Sequence, residues 1–254
     1  MLTIGSLYGH GFDRGQRAEL EGVGFSMRSQ ASVYAGSQLC HFLDFPTGPA
    51  LELIEVTDSS DYESFVPAGM VPFCPGISLV VEDGSPAALD AYEREFANHE
   101  PYRLRVPYQG GTEPDAPGWH YVNFGRPLVP GTFIWLTGFD QPKPAPARKS
   151  RHANSVLGVV GLLFDVRPER LDDLSRLAGQ SMAEGALRIG AVTIAATGAD
   201  GPPRPFPLRA VVLRADNLDI VRAHAPTAEE TRLMGQPALR IATNPLAWDL
   251  LITA

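Results

Sequence analysis

The sequence predicts an α+β protein made of repeated βαβββ modules, with strands arranged in curved mixed or antiparallel sheets. Three observations carry that prediction. Residues 78–96, SLVVEDGSPAALDAYEREF, and residues 161–178, GLLFDVRPERLDDLSRLA, each run from a short apolar strand through a proline into a helical stripe. Strand-like segments follow each helix, which makes the pattern an internal repeat. Turn signals such as Gln109-Gly110-Gly111, Pro117-Gly118, Pro130-Gly131 and Gly201-Pro202-Pro203 punctuate them.

In chain order, TIGSLYG, ASVYAG, LCHFLDF and LELIEV read as strands of a first, irregular module, with DRGQRAELEG a short helix at best. The second module opens with the strand at Gly76–Asp83. Ser85 is placed as the N-cap of its helix and Pro86 in the first turn, where a missing N–H costs nothing. Leu89, Tyr92 and Phe96 form that helix's apolar stripe; YRLRVPYQ, GWHYVNF and TFIWLTGF complete the module. In the C-terminal module Pro168 starts the helix, Leu171, Leu174 and Leu177 form its stripe, and Gly179 closes it. LRIGAVTIAAT, FPLRAVVLRA and WDLLITA are its expected strands. The boundaries follow: a first module over residues 1–75, a second over 76–140, a proline-rich linker over 141–152, and a C-terminal module over 153–254.

Composition narrows the function classes. The 254 residues are 44% hydrophobic and 20% charged, which is globular composition. A net charge of -8 and the lack of a long basic cluster argue against a nucleic acid or an anionic membrane as partner. Basic residues are nearly all arginine, with lysine only at positions 143 and 149, a bias expected of a GC-rich, bacterial genome. Cys40 and Cys74 lack zinc-like spacing and read as small buried hydrophobes in a reducing compartment. No signal peptide and no apolar run of membrane-spanning length is visible, so the expectation is a cytoplasmic protein. No glycine-rich loop joins strand to helix with nucleotide-binding spacing, and no nucleotide cofactor is expected.

The order GVGF, GPALELIEV, ISLVVEDGSPAALDAY, GWHYVNFGRPLVPGTFIWL and RHANSVLGVVGLLFDVRP resembles glyoxalase-like domain proteins of the vicinal oxygen chelate superfamily, over roughly residues 22–178. The resemblance implies paired modules wrapping an open cup around a divalent metal and a small substrate, monomeric or homodimeric. The metal would chelate two neighbouring substrate oxygens and stabilise an oxyanion. The usual ligands are a His or Gln on each module's first strand and a Glu on its last; Glu52 in ALELIEV occupies that glutamate position. The other positions depart from the pattern: residues 76–83 offer no His or Gln, TFIWLTGF no Glu, and TIGSLYG no His, although His10 follows. The incomplete ligand set leaves three readings: a metal site with Glu52 and His10, a metal-free enzyme using Asp44, Glu52 and His120, or a non-catalytic protein. The last would sequester an antibiotic or secondary metabolite, as resistance proteins of the superfamily do. The enzyme reading implies isomerase, lyase or ring-opening chemistry on an oxygenated metabolite.

Alternation sharpens these candidates. Glu52 and Glu55 are an odd number apart and so face opposite sides of their strand. Symmetric pairing about the PTGPA turn sets Asp44 opposite Glu52 and His41 beside Glu55, the latter as a surface or interface ion pair. Two adjacent carboxylates raise one pKa unless a cation lies between them. His120 shares a face with Val122 and Phe124 and reads either as a core histidine or as a cavity-lining base. Trp135 floors a pocket or fills the core, His152 suits a capping role, and His99 and His224 read as surface residues.

Overall fold

The computed structural model describes residues 1–31, 38–58, 74–107, 118–140, 150–198, 206–243 and 248–254. Its N-terminal half begins with strand β1 (Leu2–His10), helix α1 (Arg14–Gly22) and strands β2 (Arg28–Ala31), β3 (Gln38–Leu43) and β4 (Ala50–Val56). Next come β5 (Gly76–Val81), helix α2 (Pro86–Glu95), β6 (Pro101–Pro107), β7 (Gly118–Phe124) and β8 (Phe133–Phe139). These eight strands form one sheet in the order β2-β3-β4-β1-β5-β8-β7-β6. Each module's first strand lies parallel to its own last strand, β1 with β4 and β5 with β8. An antiparallel seam between β1 and β5 joins the two modules into a continuous curved surface.

Local chemistry accounts for the helices. Asp13 and Gln16 form a reciprocal capping box at α1, each side chain accepting from the other's backbone N–H, so this helix is well defined at nine residues. Ser85 caps α2 and Pro86 occupies its first turn, as expected. Gly179 takes a φ of +61° after the C-terminal module's first helix and closes it.

The C-terminal half departs from its expectation of one module. It has β9 (Val156–Phe164), a turn of 3-10 helix at Pro168–Leu171 leading into α3 (Asp172–Leu177), then β10 (Ala186–Ile189) and β11 (Val192–Ala196). A second unit follows: β12 (Leu208–Ala215), α4 (Leu218–His224), β13 (Glu229–Leu233), β14 (Gln236–Ile241) and β15 (Asp249–Thr253). The seven strands are ordered β10-β11-β9-β12-β15-β14-β13, repeating the logic of the first sheet. LRIGAVTIAAT is therefore a hairpin, turned at Gly190 with φ +60°, and FPLRAVVLRA opens a unit of its own. The ASVYAG strand and the proline-rich linker lie mostly outside the described residues.

One apolar core runs through both halves, from Leu7, Leu53, Leu79 and Leu136 to Leu162, Leu213 and Leu250. The halves also interlock through backbone. Thr47, in the β3–β4 connection, donates its N–H to the Leu157 carbonyl at 2.9 Å and bridges to Gly158. Among the described residues no helix is long and apolar enough to cross a membrane.

Candidate functional site

The two faces of the N-terminal sheet differ in chemistry. One is the leucine-rich face of the core; the other is lined by side chains from all four central strands. A bulge at Gly5 sorts β1 between them: the β1–β5 register shifts between Ile4 and Ser6, so Ile4 and Leu7 both reach the core. Ser6, Tyr8 and His10 then project from the opposite, concave face. Parallel pairing sets Tyr8 beside Glu52 of β4, and antiparallel pairing sets it beside Gly76 of β5. Gly76 and Ser78 are in turn level with Phe133 and Trp135 of β8.

These side chains make a defined cluster. Tyr8 and Trp135 meet edge to face with ring centres 4.8 Å apart, and Phe133 lies 5.2 Å from Trp135. Cys74, Tyr121 and Phe206 complete the aromatic wall, the last of these from the C-terminal half. Gly76 is required there: a Cβ would fall 2.9 Å from Trp135 Cζ3 and 3.2 Å from Tyr8 Cβ. Beneath the rings, Ser78 and Thr137 share a hydroxyl hydrogen bond of 2.8 Å.

The polar side of the cluster is Tyr8 with Glu52. Burial holds the Tyr8 phenol well above its ordinary pKa, and the neighbouring Glu52 charge raises it further, so the phenol keeps its proton and donates to Glu52. The Ser6 hydroxyl in turn bonds to Tyr8. The resemblance puts Glu52 on this face, but reading the sequence finds no Tyr8 beside it, because the β1–β4 contact is non-local in sequence.

The other candidates lie elsewhere. The β3–β4 register sets Phe42 opposite Glu52, not Asp44, because Thr47 and Gly48 are held by the C-terminal half and pairing ends at Leu43–Leu51. Asp44 accepts a bidentate pair of bonds from Arg28, from Nε at 2.9 Å and Nη2 at 3.3 Å. His120 is on the opposite face of the sheet from Tyr121. There it meets Asp140 Oδ1 at 2.5 Å, with Arg105 and the Gly118 N–H on the other oxygen. Burial pushes the Asp140 carboxyl up, but the bonds from His120, Arg105 and Gly118 outweigh it and leave it below the usual range. His41 does pair with Glu55, at 3.0 Å, but His41 is 1% exposed and the Glu55 side chain 17%, so the pair is part-buried and not a solvated surface bridge. His99 is also buried, not on the surface, with Nδ1–H donating to the Arg126 carbonyl. His152 accepts the Ser26 N–H at 3.0 Å, which is a capping role.

His10 ends β1 as a strand residue, and its Nδ1–H donates to the Cys74 carbonyl at 3.1 Å. Burial lowers its pKa to about 4, against the opposing pull of that carbonyl. Its imidazole is thus neutral at physiological pH with Nε2 unprotonated, the state a metal ligand needs. The full donor set is nevertheless short. Among the described residues no three His, Cys, Asp or Glu side chains converge, whereas a protein-held divalent ion of this kind takes at least three. The concave positions of β5 and β8 are Gly76, Ser78, Phe133, Trp135 and Thr137, so Glu52 has no counterpart there. The described residues do not fit the metal centre that the resemblance implies.

Comparison with solved structures places this architecture. A hypothetical protein from Staphylococcus aureus superposes with a TM-score of 0.58 at 7% identity, covering 99% of this chain and 100% of that one. Homoprotocatechuate 2,3-dioxygenase from Arthrobacter globiformis matches with a TM-score of 0.58 at 15% identity, covering 99% and 79%. The Mn(II)-bound glyoxalase from Novosphingobium aromaticivorans gives 0.55 at 9% identity, covering 99% and 81%. No protein-family model and no curated sequence matches the chain.

Proposed function

We propose that this chain, which has the fold of the vicinal oxygen chelate enzymes, is itself a small-molecule enzyme of that type. Its site is the concave face of the N-terminal sheet, and its substrate is a small oxygenated metabolite. The observation that carries the reading is the Tyr8–Glu52 pair, a carboxylate and a protonated phenol in contact beside an aromatic wall. Glu52 takes a proton from the carbon next to a carbonyl. As the carboxylate becomes protonated it releases the Tyr8 O–H, which turns to the oxygen where negative charge develops. Returning the proton to the opposite face of that carbon gives epimerisation, and returning it to the neighbouring carbon of an enediol gives isomerisation; expelling a group from the next carbon gives a lyase. Trp135 and Phe133 hold the apolar part of the substrate against the sheet.

The test is proton exchange. A panel of α-hydroxy and α-oxo carbonyl compounds is incubated with the protein in D2O and followed by proton NMR, while tryptophan fluorescence gives the dissociation constant. Glu52→Gln is expected to slow exchange by about 10²–10⁴ with binding changed only severalfold, the range for losing a general base. Equal exchange in the variant sinks the assignment.

The same aromatic wall supports a second reading, a sequestering protein for a flat secondary metabolite. That reading predicts tight quenching of tryptophan fluorescence by such ligands without exchange or turnover, and only a modest effect of Glu52→Gln on affinity.

A further inference from the structure

We propose that the opposite face of the same sheet carries a second reactive centre, a serine nucleophile at Ser29 that accepts acyl or phosphonyl groups from small activated esters. Three adjacent strands bring its parts into a row. Ser29 of β2 is the direct cross-strand partner of His41 of β3, and Ser29 Oγ lies 2.9 Å from His41 Nδ1. His41 Nε2 lies 3.0 Å from Glu55 Oε2 on β4. The carboxylate accepts from Nε2–H, which leaves Nδ1 with the lone pair directed at the serine hydroxyl. Nucleophile, base and orienting acid are thus linked through one imidazole, the relation that activates a serine hydroxyl wherever it recurs.

Exposure separates this row from a histidine that is merely satisfied in a core. His41 is 1% exposed and braced by the Phe12 ring 5.2 Å away, so its orientation is fixed. Ser29, by contrast, is exposed on β2, the edge strand of the sheet, where a reagent reaches it from solvent. Arg17 of α1 donates from Nη1 to Ser29 Oγ at 2.6 Å, so a cation lies against the oxygen that gains charge as it gives up its proton. Arg14 stands 3.9 Å from the other oxygen of Glu55.

The chemistry balances with water alone. Ser29 Oγ bonds to the acyl carbon as its proton passes to His41 Nδ1. The bond to the leaving alcohol then breaks, and that alcohol takes the proton. Water attacks the acyl-serine next, giving up a proton through His41 and releasing the carboxylic acid. With a fluorophosphonate the Oγ–P bond forms, the P–F bond breaks, fluoride leaves, and the adduct persists.

The experiment treats the full-length protein with a fluorophosphonate probe and maps the adduct by peptide mass spectrometry, with p-nitrophenyl acetate hydrolysis in parallel. One adduct at Ser29 is expected, absent in Ser29→Ala. Glu55→Gln is expected to slow labelling at least about tenfold, because the imidazole loses its orienting anion. A thermal melt confirms that each variant is folded. Should Glu55→Gln not fold, Ser29→Cys tests the same base: its thiol should alkylate with iodoacetamide at pH 6.5 well above the rate of free glutathione. No adduct, an adduct at another residue, labelling of Glu55→Gln at the wild-type rate, or a Ser29→Cys thiol no faster than glutathione overturns the proposal.

Discussion

His10 and His152 show what burial does to a side chain whose charge is otherwise poised near neutrality. Burial lowers each to about 4, so both are neutral in the folded protein across the physiological range. Unfolded, each returns to an ordinary histidine near 6.5. Between those values the unfolded chain binds more protons, so stability is present above pH 6.5 and lost as pH falls towards 4. The expected outcome is a melting temperature that declines through this window, with His10→Gln flattening part of the decline; a melt insensitive to pH from 7 to 4 contradicts it. Residue-scale legibility was uneven for a physical reason. Alternation alone separates Glu52 from Glu55 and gives the shared face of His120, Val122 and Phe124. It does not say that Val122 and Phe124 are core, which turns His120 away from the cup. Nor does it show that Tyr8, 44 positions before Glu52, is Glu52's neighbour in a parallel ladder.

Elements were legible where the local code was strong and were missed where it was polar. Ser85 with Pro86 announced α2, and Gly179 announced the end of α3. The stretch that forms α4, β13 and β14 has a helix of seven residues and a mostly polar strand, EETRL, too short to give a clear apolar stripe. Its signals were smaller: Asn217, whose side chain accepts from the Asp219 N–H at the start of α4, and Met234-Gly235, a two-residue hairpin turn with both φ values positive. Strand β5 makes an element-scale prediction. Gly76→Ala puts a Cβ 2.9 Å from Trp135, so the indole must move off the strand. Destabilisation of about 1–3 kcal/mol is expected, as for other overpacked sites, with a shifted tryptophan emission maximum. An unchanged spectrum and urea midpoint would show that the ring does not rest there.

At the scale of the whole molecule, the strand–helix repeat was legible and the count of units was not, because the third unit has, among the described residues, two strands after its helix. Part of what binds the halves, beside the shared apolar core, was also hidden, being backbone. The Thr47 carbonyl approaches Gly158 so closely that a Cβ at that position would sit 2.0 Å from it. Any side chain there has to push the β3–β4 connection away from β9. Gly158→Ala is therefore expected to lower stability by about 3 kcal/mol or more, read as a reduced urea midpoint. A midpoint within experimental scatter of the wild type would mean that the connection is free to shift.

The seam between β1 and β5 divides the concave site between two stretches of chain. Ser6, Tyr8, His10 and Glu52 come from one stretch, and Gly76, Ser78, Phe133 and Trp135 from the next. On the proposed function, acid–base chemistry and ligand shape are thus encoded separately, and a library confined to Phe133 and Trp135 is expected to retune ligand size while the Tyr8–Glu52 pair keeps its sequence. For anyone engineering this scaffold, substrate range and reactivity are two dials on two cassettes.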